Sequence, residues 1–265
     1  MIRIDDADDP RIAGFRDIRE RDLTGRQGLF VAEGEVVLNV LTSSRSLCRP
    51  VSLLLDIKRV EGLAEVLARL PEGTPVHVAE PPVLDAIAGF HLHRGILALG
   101  EKPPAQSLEA CLAGARPDAV VVAACGIGNH DNMGGIFRNA AAFGAAAVLL
   151  DDRCCDPFYR KAIRVSVGAV LRTPMARGLD ALTMVEGLRA AGFEVLALTP
   201  GASEPLDRAP RGGRIALVLG PEGPGLPSGV IARCRPVAIP MSGGFDSLNV
   251  SVASGIALHH FTRGA

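Results

Sequence analysis

Apolar residues in this chain fall into short blocks, and their spacing changes at Lys102. Before it, Phe30-Val-Ala-Glu-Gly-Glu leads into an apolar-periodic run from Val36 to Leu41. Val51-Ser-Leu-Leu-Leu-Asp predicts a strand, and Pro75-Val-His-Val and Gly95-Ile-Leu-Ala-Leu predict two more. Val60, Leu63, Ala64 and Leu67 recur at i, i+3, i+4 and i+7, which places one buried face on a helix over Val60 to Leu70. Strand and helix alternate, so residues 1–101 are expected to form a small α/β domain.

Lys102-Pro-Pro-Ala-Gln-Ser punctuates the chain and opens a linker expected over 102–116. A clearer α/β pattern follows over 117–265. Ala119–Ala124, Ala146–Leu150, Phe193–Thr199, Ile215–Leu219 and Pro236–Ile239 predict strands. Gly134–Phe143 and Leu179–Ala191 predict helices, the second closed by Gly192 at the position after its last turn. Strands this continuously apolar, separated by helices, imply a parallel sheet covered on both faces.

Composition narrows the picture in three ways. Hydrophobic residues make up 48% of the 265, which leaves little room for disorder, and with no Trp and one Tyr the core must be Ala, Val and Leu. The net charge of −1 gives no sign of nucleic-acid binding. Phosphate contacts would therefore have to come from local clusters such as Arg160-Lys161-Arg164 or Arg11-Arg16-Arg19, which also read as solvated helix faces. An acidic opening, no membrane-length apolar run and six cysteines without a C-x-x-C pair predict a cytoplasmic chain with reduced thiols. Cys154-Cys155 is the one adjacent pair with redox potential, and the six histidines form no metal pattern.

Candidate chemistry sits in three turns. Gly126-Ile-Gly-Asn-His-Asp-Asn-Met-Gly-Gly-Ile-Phe-Arg138-Asn139 follows a strand and opens a helix, but Asp131 stands where a dinucleotide fingerprint needs glycine. Spacing alone also fits a capped helix with a surface arginine. Leu219-Gly-Pro-Glu-Gly-Pro-Gly-Leu-Pro227 has the glycines of a phosphate cradle but lacks the Lys-Ser/Thr of a P-loop, and two prolines stiffen it into a preformed wall. Ile239-Pro-Met-Ser-Gly-Gly-Phe-Asp-Ser-Leu-Asn-Val-Ser-Val-Ala253 runs from a strand through a Gly-rich loop to Ser247, a good N-cap for a helix from Leu248 to His260.

Together these segments resemble the three motifs of the SpoU (TrmH) family of RNA ribose 2′-O-methyltransferases, in the SPOUT superfamily, over about Val120 to His259. Asn132-Met-Gly-Gly-Ile-Phe-Arg138-Asn-Ala is similar to the family's N-x-G-x-I-x-R-[ST]-A. The resemblance implies a C-terminal trefoil-knotted parallel-sheet domain, threaded by the last helix and preceded by a ribosomal-protein-like α/β substrate-binding domain. It implies a homodimer with the site at the interface, S-adenosyl-L-methionine as cofactor, tRNA or rRNA as partner, and neither membrane nor metal. Thr199, Gly220, Ile239, Met241 and Leu248 would line the cofactor pocket. Asn132, Glu222, Ser247 and Asn249 would orient the ribose and Arg138, the residue central to the family pattern. A guanidinium is a poor proton acceptor, so Arg138 is expected to bind phosphate and stabilise the developing alkoxide. Three departures stand out: Asn129-His130-Asp131 replaces an Asp-Pro, Asn139 replaces Thr or Ser, and Phe-His-Leu-His-Arg precedes Gly95. The rival reading is an inactive RNA-binding protein that keeps the fold.

Overall fold

The computed structural model describes residues 1–16, 28–89, 91–92, 94–243 and 247–262. Arg19, Phe90, His93 and Gly244-Phe245-Asp246 lie outside the described residues. The chain separates into two compact units, 1–103 with 156–172, and 104–155 with 173–265.

The first unit holds β1 (Ile2–Arg3), β2 (Leu29–Glu33), α1 (Glu35–Leu41), β3 (Arg49–Asp56), α2 (Ala64–Leu67), β4 (Val76–Ala79), α3 (Pro81–Ala88) and β5 (Ile96–Glu101). Its sheet runs β1-β4-β3-β5-β2, parallel across β1, β4 and β3 and antiparallel where β5 meets β3 and β2. Ile4, Ile12, Phe15, Leu54, Leu84 and Leu97 fill one side of it. The helix expected over Val60 to Leu70 is broken. Two tight turns, Ile57–Arg59 and Glu61–Leu63, precede α2. Gly62 weakens the helix there, and Leu63 (φ −105°, ψ 9°) leaves helical geometry.

Residues 156–172, expected with the second domain, cluster with the first unit. Phe158 stacks obliquely on Phe30 at 5.4 Å, and Lys102 Nζ and Arg160 pair with Asp156 and Glu33 at 2.7 and 2.8 Å. Arg160 is thus tied to a carboxylate, as is Arg11 to Asp9, while Arg16 donates to the Asp9 carbonyl at 2.9 Å.

The second unit continues with α4 (Leu108–Leu112), β6 (Val120–Ala124), α5 (His130–Ala142) and β7 (Val148–Asp151). The helix α6 (Arg160–Val165) belongs to the first unit. Then come β8 (Met175–Leu179), α7 (Ala181–Ala190), β9 (Glu194–Leu198), β10 (Ile215–Leu219), α8 (Ser228–Ile231), β11 (Arg235–Val237) and α9 (Val250–Thr262). The sheet is parallel throughout, in the order β11-β9-β10-β6-β7-β8. Every residue of β6 and β10 is buried, as an all-apolar central strand requires. One sheet face packs Val121, Ala123, Ala216 and Val218 against Leu108, Met184, Leu188 and Val230 of α4, α7 and α8. Helix α9 packs on α5 and reaches β10 and β6.

Chain order fixes where a ligand can sit. From β6 the chain winds outward to β7 and β8, then returns on the other side with β9, β10 and β11. The winding therefore reverses between β6 and β10, and at such a reversal the loops leaving the carboxyl ends of the strands splay apart and leave a crevice.

Candidate active site

All three Gly-rich turns leave the carboxyl ends of β6, β10 and β11. The β6 turn is anchored first. Both carboxylate oxygens of buried Asp151, at the end of β7, accept the Gly126 N–H at 2.9 and 3.0 Å, and one also accepts Arg153 N–H. Cys154 closes the same turn: its Sγ accepts Ile127 N–H and donates to the Ala124 carbonyl. Burial pushes its thiol far above the usual range, and that of Cys125 up to about 12, so both are held as thiols. Asn129 then caps α5 by accepting Asp131 N–H at 2.7 Å, which is the work an Asp would do there. The β6 and β10 turns meet where a Cβ on Gly126 would lie 3.4 Å from Pro221.

The β10 turn folds back on itself. A Cβ on Gly220 would sit 2.7 Å from Leu226 N, so only glycine fits there without moving backbone. This fold encloses a cavity of about 360 Å³ together with the residues after β9 and β11. Thr199, Gly220, Ile239, Met241 and Leu248 all line it, as do Glu222 and Ser247. Its volume lies in the range of small-molecule sites, about 300–1,000 Å³. The walls are mainly backbone, glycine and aliphatic side chains, a lining suited to holding a flat heterocycle by its edge.

The helix after β11 starts later than its sequence suggests. Asn249 is the N-cap, not Ser247: its Oδ1 accepts Ser251 N–H at 2.9 Å and Val252 N–H at 3.3 Å, and α9 begins at Val250. Ser247 remains exposed on the cavity wall. With Oδ1 committed to the cap, the Asn249 amide has one orientation. Its Nδ2 donates to Asn132 Oδ1 at 2.8 Å and to Glu222 Oε1 at 2.8 Å. A single side chain thus joins all three turns at the cavity. Asn132 is only 6% exposed, so its carbonyl oxygen depends on that bond.

Arg138 stands apart. It is exposed on α5, six residues from Asn132 and hence about 120° round the helix, and it is not among the residues lining the cavity. Motif reading passed over Val250 and Ala253, which line the cavity from α9, and the contact of Asn139 with α9 described below. Apolar residues three apart on one helix face were the available signal for the first pair. His260 is buried beside Arg211, Nη2 3.1 Å from its Nδ1, and burial followed by that cation lowers its pKa. No cluster of three or more potential metal ligands occurs among the described residues, and no helix among them is long and apolar enough to cross a membrane.

Comparison with known proteins places this geometry. The model of the SpoU rRNA Methylase family matches residues 119–259. An uncharacterized tRNA/rRNA methyltransferase of Mycobacterium bovis is 41% identical over 268 residues, covering 97% of this chain and 90% of that protein. Among solved structures, an AdoMet-bound rRNA methyltransferase from Sinorhizobium meliloti superposes with a TM-score of 0.82 at 24% identity, over 98% of this chain and 97% of that one, a likeness of fold. An RNA 2′-O ribose methyltransferase superposes with a TM-score of 0.79 at 26% identity, over 99% of this chain and 98% of that one.

Proposed function

The chain belongs to the SpoU family of RNA methylases, and from that premise we propose that it transfers the methyl group of S-adenosylmethionine to a ribose 2′-hydroxyl of tRNA or rRNA. The observation that carries this reading is the Asn249 amide, which ties Asn132 and Glu222 together at the edge of the backbone-lined cavity. A bound sulfonium supplies an already activated methyl group, so the protein's part is alignment and assistance to proton loss. Thr199, Gly220, Ile239, Met241 and Leu248 would hold the cofactor. Asn132, Glu222, Ser247 and Asn249 would set the sugar hydroxyl in line with it. Arg138 would bind the neighbouring phosphate and stabilise the developing alkoxide, a role that its exposure permits.

The reading includes a homodimer. Val252 and Ile256, four residues apart along one face of α9, are 51% and 40% exposed, and Leu248, just before the helix, is 38% exposed. Such an apolar stripe needs a partner, and Leu248 also borders the cavity, so a second copy seated there would adjoin the site. It also includes the threading of α9 through an earlier loop, in keeping with the packing of α9 on α5, β10 and β6.

The test uses the purified chain, tritiated S-adenosylmethionine, and tRNA and rRNA. A 2′-O-methyl group protects the adjoining phosphodiester from alkali, so label is expected in alkali-resistant dinucleotides. Label confined to mononucleotides overturns ribose specificity. Cofactor binding without transfer to either RNA favours the inactive RNA-binding reading.

A further inference from the structure

Asn139 touches neither the cavity nor the three residues at its edge, yet it is bonded into their support. Asn132 and Asn139 are seven residues apart, two turns of α5, and so share the face that packs on α9. Asn139 Nδ2 donates to the Ser251 carbonyl at 2.6 Å and to Ser254 Oγ at 2.9 Å, using both hydrogens of one amide. Ser251 in turn donates its N–H and its hydroxyl to Asn249 Oδ1, at 2.9 and 2.8 Å. Asn249 spends its other amide atom on Asn132 and Glu222.

The seam around this relay has no slack. A Cβ on Gly135 would come within 2.5 Å of Ser251 Cβ, and one on Gly255 within 3.2 Å of Asn139 Nδ2. The helices are therefore in near-backbone contact, and the axial position of Ser251 against α5 is decided by the hydrogen bonds that Asn139 makes. If Ser251 slides, Asn249 loses its cap or turns its amide, and the donor shared by Asn132 and Glu222 moves with it.

We propose that Asn139 is a positioning residue for methyl transfer: it locks the register of α5 against α9 at which Asn249 can join Asn132 to Glu222. This inference rests on the methyltransferase reading above. The residue type matters because of reach and donor count. Serine is shorter and has one hydrogen to give, so it can hold at most one of the two acceptors. Aspartate is isosteric but has none, and it sets a carboxylate against the Ser251 carbonyl.

The experiment compares Asn139→Asp and Asn139→Ser with the natural chain in steady-state methylation of bulk RNA, alongside calorimetric binding of S-adenosylmethionine and thermal melts. A control variant, Leu188→Ala, lowers stability from the opposite face of the sheet. Asn139→Asp is expected to reduce kcat about thirtyfold or more and Asn139→Ser about threefold to tenfold, with cofactor Kd within about fivefold of the natural chain in both. Leu188→Ala, assayed at the same interval below its Tm, is expected to keep its kcat within about twofold. Should Asn139→Asp be insoluble, Asn139→Ser carries the comparison. A kcat unchanged in the soluble variants, or lowered only as far as in Leu188→Ala, overturns the proposal. A natural chain that binds the cofactor but methylates no RNA overturns the function on which it stands, a different and separately visible result.

Discussion

Removing the Asn249 side chain tests the site most directly, because its atoms serve two separable purposes. Asn249→Ala deletes the cap of α9, an effect of roughly 1 kcal/mol. It also strips the buried Asn132 Oδ1 of its donor, which costs about 1–3 kcal/mol for a buried polar atom left unpaired. The bond to Glu222 adds little, since that carboxylate is exposed and well screened, on the order of 0.5 kcal/mol. The expected loss is therefore roughly 2.5–4.5 kcal/mol. Asn249→Ser separates the contributions. Serine caps as well as asparagine, but its hydroxyl does not span the two acceptors, so it should lose about 1–3 kcal/mol and keep the helix. Urea unfolding followed by far-UV circular dichroism is the suitable assay, because the chain has no Trp and its one Tyr, Tyr159, lies in the first unit. Both variants should lose methyl transfer by about a hundredfold, since both lose the amide bridge. Equal stability losses for Ala and Ser would refute the division of labour. A loss below about 1 kcal/mol for Ala would refute the claim that Asn132 depends on it.

Three other outcomes are expected. Arg138→Ala should abolish transfer of tritium to RNA while leaving calorimetric cofactor affinity nearly intact, because the arginine stands outside the cavity. Gly220→Ala should weaken cofactor binding by about tenfold or more, because its methyl would press on the backbone at Leu226 and shift the wall of the cavity. The pKa values of His77 and His260 are both lowered, first by burial and then by Arg11 and Arg211 respectively. The unfolded chain therefore binds these protons more readily than the folded one, so stability should be complete above about pH 6.5 and fall as the pH drops below it. His260→Gln should flatten part of that decline in urea titrations run between pH 7 and 5.

Much of the architecture is legible locally. Ala119–Ala124 and Ile215–Leu219 are apolar on both faces because they are central strands, and that pattern alone announces a covered parallel sheet. β8 escapes the same reading. It is an edge strand, half solvated, and carries Arg177 and Gly178 where a buried strand would be aliphatic. The true cap of α9 is hidden for a related reason: Ser247 and Asn249 are both good caps, and only the packed position of the helix selects between them.

By itself, then, the sequence determined the buried strands and the long helices of the second unit and which turns are too rich in Gly and Pro to be mere connections, because periodicity and backbone freedom are properties of neighbouring residues. Tertiary structure alone decided the strand order that brings the turns after β6, β9, β10 and β11 to one crevice. It also decided the return of residues 156–172 to the first unit and the bond between Asn132 and Asn249 across 117 positions. These depend on which surfaces bury together and on the narrow geometry of a hydrogen bond, and neither leaves a periodic trace along the chain.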